Sequence, residues 1–138
     1  MILLDVNVLI YAWQPTAPGH EQWRSWLEGI RGAPFGVPDE CALGFLRIVT
    51  NRKVFAEPAS PSEAFEFIRA LRGSPGWREV SRSPGCWVTF EGLAGRTAAR
   101  AGAFQDVWLA ALAMHNGGRL ATADHDFAAW PEIQVVRP

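Results

Sequence analysis

Ile2-Leu3-Leu4-Asp5-Val6-Asn7-Val8-Leu9-Ile10-Tyr11-Ala12 opens the chain with three apolar residues, an acid and a second apolar run. The first run is short and uninterrupted, as in a strand buried on both faces. The second, from Val8 to Ala12, is expected to begin a helix. Asp5 then stands at the carboxyl end of a strand, the edge of an open α/β sheet where ligands bind. The far end of the chain repeats the arrangement. Asp106 to Met114 is an Ala-rich helical stretch closed by Asn116-Gly117-Gly118, and Arg119-Leu120-Ala121-Thr122 reads as a strand leading to Asp124.

Between these ends strands and helices alternate. Gln14 to Gly19 is a Pro-containing loop, and His20 to Glu28 a helix with Trp23, Trp26 and Leu27 on its apolar side. Phe35-Gly36-Val37 reads as a second buried strand. From Asp39, apolar residues recur at helical spacing (Ala42, Phe45, Leu46, Val49), and Asp39 suits the N-terminus of that helix. Ser60-Pro61-Ser62-Glu63 carries a capping box with proline at the first helical position, and the helix runs to about Arg72. Trp77 to Ser81 is expected as a short strand, Cys86 to Leu93 as a short helix, and Ile133 to Val136 as the last strand. The alternation specifies an α/β fold, a central parallel sheet flanked by helices. With 138 residues, the chain has room for a single domain spanning 1–138.

Composition removes several function classes. Thirteen basic and fourteen acidic side chains leave a net charge of -1, which excludes a wholly basic nucleic-acid binder but not an enzyme with a local positive rim. The two cysteines, Cys41 and Cys86, form no C-x-x-C or Cys/His pattern for zinc. The N-terminus has no basic segment before its apolar residues, and no apolar stretch reaches membrane-spanning length, so a cytoplasmic protein is expected.

The acids carry the chemistry. Asp5 and Asp124 follow strand-like runs and Asp106 starts a helix, so residues distant in sequence are expected to converge at one sheet edge. Any one of them taken alone is better read as capping a turn than as binding a ligand. Together they repel and resist ionisation unless a cation joins them, and an oxygen-only donor set selects Mg2+ or Mn2+. Such ions activate water and clamp phosphodiesters.

At these residues the chain resembles the PIN-domain nucleases, in particular the VapC-type toxins of bacterial toxin–antitoxin pairs. Leu3 to Ala12 looks like their opening motif. Phe45-Leu46-Arg47-Ile48-Val49-Thr50-Asn51-Arg52-Lys53-Val54-Phe55 is similar to a segment common in one branch. Asp106-Val107-Trp108-Leu109-Ala110-Ala111-Leu112-Ala113 looks like the third acidic motif, and Thr122-Ala123-Asp124-His125-Asp126-Phe127 like the fourth. The motifs stand in the family's order, while Pro75 to Ala103 adds little. The resemblance implies a three-layer PIN-like fold and a metal-dependent endoribonuclease acting on RNA, with Asp5, Asp106 and Asp124 as metal ligands. It also implies a VapB-type antitoxin partner and a homodimer. Many family members carry a glutamate just before the Phe-Leu-Arg step, where this chain has Gly44. Glu40 lies one helical turn earlier on the same face and is expected to fill that role beside the space Gly44 leaves, with Asp39 as its competitor.

Asn7, Thr122 and Asp126 are expected to support the site, although each also has an ordinary turn or strand role. Arg47, Arg52 and Lys53 are candidates for RNA phosphates, with ordinary solvation of a helix as the alternative; Arg96 and Arg100 are equally open. His20, His115 and His125 need no catalytic role. Trp13, Trp23 and Trp26 are expected to offer an exposed apolar face for a dimer or antitoxin contact. Three rival readings stand beside the nuclease. A haloacid-dehalogenase-like phosphatase needs a second acid where Asn7 stands, plus a site lysine. A receiver-like domain needs a lysine near a late strand, and the only lysine is Lys53. A catalytically inactive PIN scaffold is favoured by Gly44 and opposed by the retained acids.

Overall fold

Ile2–Leu4 forms strand β1, and Asp5 ends it by capping helix α1, Val6–Trp13; the computed structural model describes residues 1–138. The helix starts two residues before the expected Val8 because the Asp5 carboxylate accepts the Val6 N–H, allowing helix to follow strand without a loop. Helix α2 (His20–Ile30), strand β2 (Phe35–Gly36), helix α3 (Asp39–Val49) and helix α4 (Pro61–Arg72) follow. The expected capping box at Ser60 and Glu63 is present at the start of α4. Helices α5 (Gly85–Thr97) and α6 (Ala103–His115) precede strand β3 (Arg119–Ala121), a 3-10 turn over Asp126–Ala129, and strand β4 (Gln134–Val136).

The sheet is parallel throughout, in the order β2-β1-β3-β4. Its central strands, β1 and β3, pair Ile2 with Arg119, Leu3 with Leu120 and Leu4 with Ala121. Ile2, Leu3, Leu4, Leu120 and Ala121 are all buried, which requires helices on both faces of the sheet. Helix α6 supplies Ala110, Ala111, Leu112 and Ala113 to the core, and its three alanines permit close packing. Its end turns through Gly117 and Gly118, both at positive φ, with the Gly118 N–H returning to the Ala113 carbonyl. The connections leave β1 toward β2 on one side and return to β3 on the other. The crevice at the carboxyl ends of β1 and β3 is therefore the sheet's switch point.

Two expectations are corrected. Trp77 to Ser81 is not a strand: Trp77 makes one bridge to Phe35, and the Asn116 side chain then takes both the N–H and the carbonyl of Ser81 at 2.9 Å, diverting the chain from the sheet edge. Asp39 opens α3 as expected, with Pro38 at the capping position before it. Trp13, Trp23 and Trp26 form no exposed face. Trp23 is buried, Trp26 packs edge-on against it, and Trp13 packs edge-on against Phe45. No helix is long and apolar enough to cross a membrane.

Candidate active site

Asp5 and Thr122 are the first residues beyond β1 and β3, so the central strand pairing delivers them side by side. The Asp5 N–H continues the ladder to the Ala121 carbonyl at 3.0 Å. Beyond it, the Thr122 hydroxyl meets Asp5 Oδ2 at 2.7 Å. Asn7, in the first turn of α1, spans both strand ends. Its Oδ1 accepts the Ala123 N–H at 3.0 Å, which fixes the amide so that Nδ2 donates to Asp5 Oδ2 at 2.6 Å and to Thr122 Oγ1 at 3.1 Å. The Asp124 N–H also donates to Thr122 Oγ1, at 3.0 Å. With two donors already aimed at it, the threonine oxygen has one role left for its proton, donation to Asp5. Asp5 is thereby held as an acceptor with two donors on Oδ2 and the Val6 N–H on Oδ1.

Asp5 is 7% exposed. Burial pushes its carboxyl above the usual aspartate range, and the Asp124 charge adds to this; the bonds from Thr122, Val6 and Asn7 pull the other way without cancelling it. Asp106 lies in the first turn of α6 and is half-buried, with no hydrogen-bond partner. Its carboxyl is also raised, by burial first and then by the charges of Asp124, Asp5 and Asp126. The four aspartates thus share one electrostatic field. Asp124 Oδ1 accepts the Asp126 N–H at 2.8 Å, so Asp126 buttresses Asp124 through its backbone.

Asp5 and Asp106 line a cleft of about 360 Å³ together with Glu40, Gly44, Arg47, Gln105 and Trp108. Asp124 is not among the lining residues and reaches the cleft only through its field. Glu40 lines the cleft as expected, but its Oε1 is engaged by the Trp108 indole N–H at 2.8 Å and by Arg82 at 2.9 Å. Its charge is not among those that raise Asp5 and Asp106. Asp39 points outward and meets Arg82 at 3.6 Å. The space expected beside Gly44 is partly filled: a Cβ there would lie 3.2 Å from Val6 Cγ2. Neither Arg52 nor Lys53 lines the cleft, which removes the lysine that a phosphatase or receiver site needs. Arg96 is paired with Glu132.

Sequence reasoning passed over three residues that touch this region. Arg82 follows a segment with no usable periodicity. Trp108 lay in plain view inside the third acidic motif. Arg137, in the last two residues, donates to the carbonyls of Thr122 and Asp124 at 3.0 Å each and so holds the loop that carries Asp124.

The donor set is oxygen only, and no three acids, histidines or cysteines close into a cage. An oxygen-only donor set suits hard cations such as Mg2+ or Mn2+ rather than zinc. The unpartnered, ionisation-resistant Asp106 is the kind of group a cation would satisfy.

Comparison with known proteins places the chain. A family model described as PIN domain matches residues 2–132. Ribonuclease VapC43 of Mycobacterium tuberculosis is 35% identical over 140 residues, covering 100% of this chain and 95% of its own length. Ribonuclease VapC25 of the same organism is 32% identical, covering 100% and 99%. Among solved structures, VapBC2 from Rickettsia felis, crystallised with a promoter DNA fragment, superposes with a TM-score of 0.71 at 14% identity, covering 99% of this chain and 98% of that one. FitAcB from Neisseria gonorrhoeae gives 0.56 at 20% identity, covering 99% and 97%. The structures agree with the parallel sheet and its flanking helices, and the sequence matches run the length of the chain: it belongs to the PIN-domain family.

Proposed function

We propose that the protein is a Mg2+- or Mn2+-dependent endoribonuclease, the toxin of a VapBC-type pair, with Asp5, Asp106 and Asp124 as metal ligands. The observation that carries the reading is the shared field of these aspartates at the sheet's switch point, with Asp5 and Asp106 both resisting ionisation beside an open cleft. The full-length similarity to proteins named as VapC ribonucleases supports the choice of RNA as substrate. A divalent cation bound there supplies charge neutralisation and an activated water for phosphodiester hydrolysis. Asn7 and Thr122 hold Asp5 in place and offset part of the burial that resists its charge, Asp126 braces Asp124, and Arg47 offers a guanidinium to substrate phosphates from the cleft wall. Glu40 acts as the fourth acid, from a position tied to Arg82 and Trp108. A VapB-type antitoxin and a second copy of the chain are the proposed partners, in the cytoplasm.

Incubation with mixed cellular RNA, with Mg2+ or Mn2+ and then with chelator, tests the reading. Internal cleavage that requires the cation is expected, with discrete ends on mapping. Full cleavage in chelator, or RNA left intact with either metal, would overturn it.

A further inference from the structure

Ordinary packing accounts for the half-buried Phe90 and Trp108, but not for their neighbours. Trp87 is 56% exposed and Phe104 44%. The four rings touch in series: Trp87 lies 5.2 Å from Phe90 and 6.0 Å from Trp108, and Phe90 lies 5.5 Å from Trp108 and 6.1 Å from Phe104. The Trp87 indole N–H donates to Glu91 at 2.9 Å, so the exposed ring is held in one orientation. Trp108 links the series to the acids. It lines the cleft with Asp5 and Asp106, and its N–H shares Glu40 Oε1 with the Arg82 guanidinium. One oxygen therefore sets a half-exposed cation beside an aromatic wall at the mouth of the cleft.

We propose that this surface is a nucleotide subsite for single-stranded RNA, taking the base next to the scissile phosphate by stacking on Trp87 and its phosphate on Arg82. The inference rests on the ribonuclease reading and adds where the substrate strand lies. Aromatic faces with adjacent guanidinium groups hold single strands with little sequence preference, because every base has a face to stack. Continuity with the cleft selects RNA as the occupant: Trp87 touches Trp108, which lines the cleft beside Asp5 and Asp106. A strand whose phosphodiester lies at the acidic pair meets Arg82 on leaving the cleft, and the guanidinium must exchange the carboxylates of Asp39 and Glu40 for phosphate to hold it. Asp39 and Glu40 keep Arg82 at that place before RNA arrives.

The test compares wild type with Trp87→Ala, Trp87→Phe and Arg82→Gln. KM and kcat are measured on a single-stranded RNA oligonucleotide that the wild type cleaves, and Kd on the same RNA with Ca2+ replacing Mg2+. Trp87→Ala is expected to raise KM and Kd about tenfold with a far smaller change in kcat. Trp87→Phe should recover most of the loss. Arg82→Gln should lower the slope of log Kd against log salt by about 0.7, the share of one phosphate contact on a single strand. An abasic nucleotide at the stacked position should abolish the difference between wild type and Trp87→Ala. Phe65→Ala, at an exposed aromatic on α4, should leave all values unchanged. Unchanged KM and Kd in Trp87→Ala, with wild type still cutting RNA, would overturn the subsite and spare the ribonuclease. A loss that tracks a change in sedimenting mass would identify the surface as a protein interface and overturn it as well. A wild type that neither binds nor cuts RNA removes the ribonuclease reading, and the subsite with it.

Discussion

Asp5 and Asp106 both have raised carboxyls but should respond to amidation in opposite ways. Asp106 accepts no hydrogen bond, so Asp106→Asn removes repulsion and loses nothing in the folded chain; in chelator its Tm should rise above wild type. Asp5→Asn must set an NH2 group either against the Asn7 amide and Thr122 hydroxyl, which donate to Oδ2, or against the Val6 N–H, which donates to Oδ1. It should lower stability by about 1–3 kcal/mol. Both changes should abolish cleavage, since each removes a proposed ligand charge. The pH dependence follows from the same shifts. A carboxyl raised on folding contributes stability that is complete below the ordinary aspartate range and is lost as pH rises through its folded value. Metal-free wild type should therefore lose Tm on that rise, and Asp106→Asn should lose less, as thermal melts in chelator across the acidic range will show. Thr122→Val, which keeps shape and deletes the shared hydroxyl, should cost about 1–3 kcal/mol and depress cleavage, because Asp5, Asn7 and the Asp124 N–H all lose one partner together.

At the level of elements, α3 is where sequence and structure diverge most usefully. Helical spacing places Glu40 and Gly44 on one face with Asp39 about 100° away, and Glu40 lines the cleft while Asp39 does not. Glu40→Gln should depress cleavage strongly and Asp39→Asn only mildly; the reverse order in a cleavage assay would transfer the role to Asp39. Moving the acid, as Glu40→Gln with Gly44→Glu, should restore little activity, since Val6 must shift to admit a Cβ at position 44. The strands β1 and β3 and the acids beyond them were legible because a short apolar run ending in an acid has few other readings. The capping box at Ser60 was legible because it is a local hydrogen-bond pattern written in adjacent residues. Trp77 to Ser81 misled because its fate is set by Asn116, 35 residues away from Ser81. The partners of Glu40 were hidden for the same reason: Arg82 and Trp108 come from other elements, and no local period marks them.

For the molecule as a whole, the proposed toxin role predicts a growth phenotype. Expression of the chain alone should halt bacterial growth, Asp106→Asn should not, and co-expression of a cognate antitoxin should restore growth; unaffected growth with wild type would remove the toxin role while leaving the nuclease to its own assay. The balanced net charge means that RNA must be drawn to a local patch, so affinity should weaken steeply with salt only if Arg47 and Arg82 are engaged. The hydrogen bond from Thr122 to Asp5 joins residues 117 apart in the chain. Until the first strand and the third have found each other, there is no place for the acids to meet. Catalysis therefore reports on the joining of the chain's two ends: in a refolding experiment the power to cut RNA should return no earlier than the pairing of β1 with β3.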